Sequence, residues 1–152
     1  MPDLSVHIDR PLEDVFAFVM DIPRTPLWRP RIVEAEWLDS GETRVGRRIN
    51  LVSKVMGIRS RFVLEITRWE PPRRFAYGVA EGRDLGQVED RWDPENGGCR
   101  FTIALGQAAP NFRGAKLLMP LGKMVLLKEN YEDLERLKRI MESGADRDQK
   151  AV

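Results

Sequence analysis

Asp90 is the residue of this sequence whose position is best suited to acid–base chemistry. In Val88-Glu89-Asp90-Arg91-Trp92 apolar and polar residues alternate, so a period of two places Asp90 on the apolar face of a strand. An inward carboxylate is costly unless it has a partner, such as Arg68 or Tyr77, and its pKa would be raised. Such a group could act as a general acid or base in a dehydration or an aldol-type cyclisation. The alternative is a bulge or strand end that turns Asp90 to solvent, and this is the commoner arrangement.

Few other side chains could do chemistry. Tyr77 and Tyr131 could offer hydroxyl groups to a ligand oxygen, although tyrosines of this kind often bond only to backbone or water. His7 is the one histidine and Cys99 the one cysteine, which excludes a multi-histidine site, a thiolate metal cluster and an internal disulfide. The alternation around His7 places it on the outer face of a strand. We therefore predict no metal site and no cofactor, and as catalytic candidates only Asp90 and Tyr77.

The charge balance excludes several classes of protein. The 152 residues include 25 Lys and Arg against 24 Asp and Glu, a formal net charge of +1, whereas a nucleic-acid-binding protein would be strongly basic. A basic cluster on adjacent strands is interpreted as a solvated outer face, with contact to an anionic head group as the alternative: Arg44, Arg47, Arg48, Arg59 and Arg61.

The hydropathy of the sequence indicates in which compartment the protein is expected. No run of about eighteen uncharged apolar residues is present, so no membrane-spanning helix is predicted. The first ten residues lack the apolar core of a signal peptide. We therefore expect a cytoplasmic location.

The hydrophobic period divides the chain into strands and helices. Residues 4–8 alternate as in a half-buried strand, and Asp9 followed by Pro11 predicts the N-cap of a helix that ends near Asp21. Between the prolines of 23–30 only one short helical turn fits. Six strands then follow with short turns, at about 32–38, 46–55, 59–69, 75–79, 88–92 and 99–105. Such a series forms an antiparallel meander, because parallel strands need long crossovers.

A long C-terminal helix is predicted from about 119 to 143, with Pro120 in its first turn. Its second half is amphipathic, with apolar residues at helical spacing: Leu127, Tyr131, Leu134, Leu137 and Met141. Residues 117–127 are apolar nearly all round. They could line a pocket mouth beneath a loop, which we prefer, form a dimer contact or touch a membrane. We assign 1–143 to one domain and the polar residues 144–152 to a disordered tail.

The order of elements leaves one apolar helix to cover the concave face of a curled sheet. Here the chain resembles the helix-grip superfamily called SRPBCC or START-like, and within it the bacterial polyketide cyclase/dehydrase group. The resemblance covers about residues 4–142 and rests on SVHIDRP at 5–11, VFAF at 15–18, PLW at 26–28, WEPPRRF at 69–75, WDP at 92–94, GGC at 97–99, EN at 129–130 and LERLK at 134–138. It implies an α+β fold, in which a curved antiparallel sheet of about seven strands wraps around the long helix.

The resemblance further implies a pocket between sheet and helix for a lipid, a quinone or a polyketide-like molecule. Aromatic and methionine residues are its expected lining, because adaptable methionines accept varied apolar shapes. The alternative is that these side chains fill the core. The candidate ligand-binding residues are Trp28, Trp37, Leu51, Phe62, Leu64, Phe75, Tyr77, Trp92, Phe101, Ile103, Met119, Met124, Leu127 and Tyr131.

Three functions fit the sequence. The first is binding of a small hydrophobic molecule without covalent chemistry. The second is a cyclase or dehydratase that uses Asp90 and a tyrosine, and the third is an interaction module that presents an apolar helix to a partner protein. As partners we expect a small apolar ligand, no nucleic acid and no stable membrane insertion, with a homodimer as an open alternative.

Overall fold

The computed structural model of the chain describes residues 3–82, 86–105 and 115–147, and within 115–126 it describes the side chains of 124 and 125 only. In these ranges the chain forms seven strands and three α-helices. Their bounds are β1 Asp3–Ile8, α1 Leu12–Met20, α2 Thr25–Trp28, β2 Ile32–Trp37, β3 Arg48–Val55, β4 Ile58–Glu70, β5 Arg74–Glu81, β6 Val88–Glu95, β7 Gly98–Leu105 and α3 Ala115–Ser143. Single 3-10 turns lie at Ile22–Arg24 and Ala145–Arg147.

The seven strands form one antiparallel sheet in the order β1-β7-β6-β5-β4-β3-β2. Strands β2 to β7 are paired in chain order because short turns join most of them, and β1 closes the edge beside β7. The β6–β7 turn has both central residues at positive φ, Asn96 at 47° and Gly97 at 80°. Two such residues are what a two-residue hairpin with the sheet's twist requires. The predicted α+β helix-grip fold is confirmed.

Strand register decides which side chains face α3. Partners across antiparallel strands point to the same side of the sheet, and one such row crosses the sheet through Phe75, Asp90, Ile103 and Leu4. The neighbouring row contains Ile66, Tyr77, Val88 and Leu105. Asp90 and Tyr77 therefore lie in adjacent rows of one face, which is the concave face.

The space between the sheet and the C-terminal half of α3 is filled by a closed core. Its side chains have no accessible surface, so they touch protein on all sides: Trp92, Phe101, Ile103, Leu134, Leu137 and Met141. Each large apolar side chain buried in this way contributes roughly 1.5–3 kcal/mol. This closed core holds the C-terminal half of α3 against β1, β6 and β7.

Several boundaries differ from the sequence prediction. The helix α1 begins at Leu12 after Pro11, and Asp9 is not its N-cap: the Asp9 N–H instead donates to Oε2 of Glu142 at 2.9 Å. The helix α3 begins at Ala115, so Pro120 lies in its second turn. Residues 144–147, assigned to the tail, are ordered because Asp146 pairs with Arg10 at 2.8 Å. The predicted tail at 148–152 lies outside the described residues.

Candidate functional site

Asp90 lies on the concave face and is 4 % exposed. The regular pairing of β6 with β5 and β7 opposite Phe75 and Ile103 leaves no bulge that could turn it to solvent. No described side chain donates a hydrogen bond to Oδ1 of Asp90, and that atom is buried. A buried carboxylate oxygen without a donor is costly, so it is a place where a ligand donor would be stabilised.

Arg29 provides the positive charge nearest to this carboxylate. It lies directly after α2, where the short helix places its guanidinium against the ring of Trp28, 5.0 Å from the ring centroid. The guanidinium interacts electrostatically with the hydroxyl of Tyr77 and with Asp90. A guanidinium has only donors, so towards Arg29 the Tyr77 oxygen can only accept, and the Tyr77 O–H remains able to donate.

Two residues of α3 fix the position of Arg29. Its Nε donates to Oδ2 of Asp133 at 3.2 Å, and its Nη2 donates to Oδ1 of Asn130 at 2.5 Å. Asp133 is 3 % exposed and also accepts bonds from Arg31 at 2.6 Å and Arg136 at 3.3 Å. Three guanidinium groups thus share one buried carboxylate, which neutralises part of their charge and ties the segment after α2 to α3.

The pKa values in this cluster follow from burial. Burial raises the pKa of Asp90 from 3.8 to about 7, and the positive charge of Arg29 opposes part of this rise. Burial, together with the negative charge of Asp90, raises the pKa of Tyr77 to about 12. The pKa of Arg29 is raised, because the attraction of Tyr77, Asp133 and Asp90 outweighs the opposing effect of burial. Tyr77 and Arg29 therefore stay protonated near neutral pH, whereas Asp90 exchanges a proton there.

This arrangement has the groups for acid–base chemistry on a ligand oxygen. Tyr77 and Arg29 can donate hydrogen bonds to a carbonyl or hydroxyl oxygen, and Asp90 can accept a proton or return it. A pKa close to the working pH is the condition under which a single carboxyl group can do both. The same groups can also hold the polar end of a molecule without reacting with it.

A patch of apolar side chains extends from this cluster along the concave face. These residues are only half-buried, so space adjoins them, in contrast to the closed core; this half-buried patch consists of Leu51, Phe62, Tyr77, Val79, Val88 and Leu105. Register joins them into continuous rows, since Leu51 lies opposite Phe62 and Val88 lies between Tyr77 and Leu105. The described residues therefore contain an apolar surface with a polar end.

The structure divides the predicted ligand-binding residues into four groups. Six are buried and belong to the packed interior: Trp28, Leu64, Phe75, Trp92, Phe101 and Ile103. Five are half-buried: Trp37, Leu51, Phe62, Tyr77 and Leu127. Met124 and Tyr131 are 67 % and 50 % exposed, and the side chain of Met119 lies outside the described residues. Which of them touch a ligand stays a prediction.

Four sequence predictions are wrong in their geometry. Met124 and Tyr131 do not meet the sheet: they lie seven residues apart on α3, so they share a face, and that face points outward. Arg68 is not the partner of Asp90, because it lies on the outer face and pairs with Glu70 and Glu89. Arg47 is not solvated: it is buried over the ring of Trp37, 3.8 Å from the centroid, and bonds to Asp39 at 2.8 Å.

Arg29, Asn130 and Asp133 are the members of the cluster that the sequence prediction missed. Arg29 falls in the proline-rich stretch, where no periodic signal assigns a face. A signal for Asn130 was present, because the spacing Leu127, Asn130, Leu134, Leu137, Met141 alternates three and four residues along one helix face. A polar residue inside that series indicates a buried polar contact.

Two open clefts lie elsewhere on the described surface. One, of about 370 Å³, lies beside α1 and includes Arg10 and Arg24; the other, of about 620 Å³, lies between 11–13 and 94–98. The first is lined by acids and arginines in similar number, which favours neither sign of ligand. Among the described residues no group of three or more His, Cys, Asp or Glu side chains could hold a metal ion. In that part of the chain no helix is long and apolar enough to cross a membrane.

The chain matches a known family model over residues 3–142, and the family is described as polyketide cyclase / dehydrase and lipid transport. A comparison with curated protein sequences gives no match. The family match covers every element described above except the last residue of α3 and the 3-10 turn that follows it.

Solved structures share the fold at low sequence identity. The protein TTHA0849 from Thermus thermophilus superposes with a TM-score of 0.75 at 19 % identity, over 93 % of this chain and 97 % of that one. The Zhui aromatase/cyclase from Streptomyces sp. R1128 gives 0.68 at 15 % identity, over 93 % and 92 %. A START superfamily protein from Mycobacterium smegmatis gives 0.62 at 14 % identity, over 90 % and 97 %. At these identities the likeness concerns the fold alone.

Proposed function

The chain belongs to the polyketide cyclase / dehydrase and lipid transport family and has the helix-grip fold of START-like proteins, and on that premise we propose that it binds a small hydrophobic molecule on the concave face. The molecule lies on the half-buried patch, with its polar end at Asp90, Tyr77 and Arg29. One observation carries this proposal: a buried carboxylate oxygen to which no described residue donates lies beside described apolar side chains that are only half-buried.

The chemistry of the two ends defines the ligand class. Covering the half-buried patch is favourable by about 25 cal/mol for each Å² removed from water, so the larger part of the ligand is apolar. The polar end must both accept and donate hydrogen bonds, because Tyr77 and Arg29 donate whereas an ionised Asp90 accepts. A hydroxyl or enol next to a carbonyl, as in hydroxyquinones and polyketides, satisfies all three groups.

The first test is to identify what the protein carries. The full chain purified from its own host is measured by native mass spectrometry, and we expect a bound mass that organic solvent releases as a small apolar molecule. The released molecule is then titrated back onto the stripped protein.

Variants locate the site of that binding. Val88→Trp fills the half-buried patch with the protein's own apolar atoms and should abolish rebinding while the protein remains folded. The matched control is Val45→Trp, because Val45 is 59 % exposed in the loop before β3. This control variant should bind the released molecule as the native chain does. A stripped protein that shows no affinity for any released molecule, or Val88→Trp with undiminished binding, would contradict the proposal.

A second candidate function is a dehydratase or cyclase, and the raised pKa of Asp90 favours it. In a dehydration, the Asp90 carboxylate would accept the proton from the carbon next to a carbonyl. It would return that proton to a hydroxyl on the next carbon, whose C–O bond breaks so that water leaves and a carbon–carbon double bond forms, while Tyr77 and Arg29 stabilise the charge on the carbonyl oxygen. The proton taken and the proton returned balance, so no other reactant is needed.

The two candidates give different results with one variant. The released ligand, or its hydrated precursor, is incubated with the native chain and with Asp90→Asn, and loss of one water is followed by mass spectrometry. For an enzyme, turnover by the native chain depends on pH with a midpoint near neutral, and Asp90→Asn lacks turnover but still binds. For a binding protein, neither chain changes the mass of the molecule.

A further inference from the structure

The β3–β4 hairpin ends in an apolar side chain that is surrounded by solvent. Met56 is 95 % exposed, and its neighbours Val55 and Ile58 are 51 % and 70 % exposed. Met56 has a φ of 52° and Gly57 a φ of 81°, the left-handed pair of a two-residue hairpin in which Asn-Gly is preferred. Methionine is disfavoured here both by the backbone and by exposure. A position that breaks two local rules without a gain in stability indicates a function.

The apolar tip continues the concave face. Side chains alternate along a strand, and the register of β3 with β4 pairs Leu51 with Phe62, Ser53 with Ser60 and Val55 with Ile58 on that face. A molecule that moved from the tip along the concave face would therefore pass the pair Ser53 and Ser60 and then reach the half-buried patch.

The residues around the tip are basic. From 54 to 61 the chain contains Lys54, Arg59 and Arg61 and no acid, and all eight residues are exposed. Arg59 lies 3.5 Å from Glu34, which is itself 57 % exposed, and a pair so open to water is weak. This hairpin presents an apolar tip with a positive collar.

The helix contributes to the same end of the molecule. The Lys54 N–H donates to the carbonyl of Arg31 at 2.8 Å, and Arg31 in turn bonds to Glu129 of α3 at 2.9 Å. Val125, which is 48 % exposed, lies one helical turn before Glu129 on the same helix face. Arg31 is thus hydrogen-bonded both to the hairpin and to α3, at the end of the molecule where both elements have exposed apolar side chains.

We propose that the β3–β4 hairpin docks the domain on an anionic lipid surface, with Met56, Val55 and Ile58 among the upper acyl chains and Lys54 and Arg59 against lipid phosphates. A convex tip made by two turn residues has no groove to receive a protein segment, but it fits the loosely packed boundary between head groups and acyl chains. The positive collar matches the charge of anionic lipids, which attract nearby Lys and Arg side chains. This inference stands on the hairpin and does not depend on the ligand proposed above.

Co-sedimentation with vesicles tests the docking directly. The full chain is mixed with vesicles of phosphatidylcholine, with and without phosphatidylglycerol, at low and high salt. We expect binding to the anionic vesicles that weakens with salt and is at least several-fold weaker on phosphatidylcholine alone. Met56→Asn should weaken the binding by roughly tenfold, the effect of losing one buried apolar side chain. Because Asn suits the turn, the variant keeps its fold.

Two further variants separate the apolar and the charged parts. Lys54→Glu with Arg59→Glu should remove the preference for phosphatidylglycerol, whereas the control Val45→Asn, which removes an exposed apolar side chain elsewhere, should bind as the native chain does. Equal binding of the native chain and Met56→Asn, or no binding to anionic vesicles, overturns the proposal. A dimer in sedimentation equilibrium that Met56→Asn dissociates, without vesicle binding, overturns it in favour of a contact between two copies.

Discussion

Replacing Asp90 by Asn is expected to stabilise the protein at neutral and alkaline pH and to change its stability little near pH 4. The pKa of Asp90 is raised from 3.8 to about 7 by burial. Between these values the unfolded chain has lost the proton that the folded chain keeps, so stability falls as pH rises through this window and is constant above it. At about 1.4 kcal/mol for each pH unit, the cost of Asp90 approaches 4 kcal/mol above pH 7.

Urea unfolding from acid to alkaline pH measures this cost. Asn has the shape of a protonated Asp, so near pH 4 the two proteins should unfold at similar urea concentrations. At alkaline pH the Asn variant should be more stable by up to about 4 kcal/mol, which for a domain of this length is roughly 10 °C in melting temperature. Asp93→Asn is the matched control, since Asp93 lies in the same strand, is 42 % exposed and pairs with Arg73. It should show no such gain.

A difference in unfolding free energy between Asp90→Asn and the native chain that stays constant across pH would refute this reasoning. It would mean that Asp90 ionises alike in the folded and unfolded chains, and therefore that the carboxylate is hydrated or paired. Both the proposed polar end of the ligand site and the acid–base candidate would then lose their basis.

Three further substitutions test the packing around the site, each by urea unfolding at neutral pH. Asp133→Asn should cost about 3–5 kcal/mol, because the buried carboxylate compensates three guanidinium groups. Leu137→Ala should cost about 2–5 kcal/mol, since its side chain has no accessible surface in the closed core. Gly98→Ala should cost roughly 1–3 kcal/mol, because the added Cβ would lie 2.3 Å from the carbonyl oxygen of Ile8. A loss below about 1 kcal/mol would contradict the contact that Asp133→Asn or Leu137→Ala removes, or the close approach that Gly98→Ala tests.

The sheet could be predicted from the sequence because its signals are local. Alternation places Val88, Asp90 and Trp92 on one face, and the residues at 96–97 form one of the predicted short turns; both follow from backbone sterics within a few residues. Since short turns join most of the consecutive strands from β2 to β7, their antiparallel order follows as well. The register that makes Asp90 face inward thus depends on nothing distant in the chain.

The polar cluster could not be predicted in the same way, because it is assembled from distant segments. Arg29 and Asp133 are separated by more than one hundred residues, and no period in the proline-rich stretch assigns Arg29 to a face. On α3 the error was one of phase: hydropathy favours Tyr131 as the inward residue, whereas the spacing of Leu127, Leu134 and Leu137 favours Asn130. The helix turns 100° per residue, so neighbours in sequence point in very different directions.

At both Asp90 and Met56 a single substitution is expected to improve stability, and this links the two proposed surfaces. Asn removes the burial cost of Asp90, and Asn relieves the left-handed turn at Met56. Asp90 lies in β6 and Met56 beyond the end of β3, with β4 and β5 between them, so the two gains should add in the double variant. If function maintains both residues, we expect a double variant that is more stable, that binds vesicles more weakly, and that has lost either affinity for the ligand or, in an enzyme, turnover. A double variant that gains stability and keeps native vesicle binding, ligand binding and any turnover would show that these costs serve neither surface.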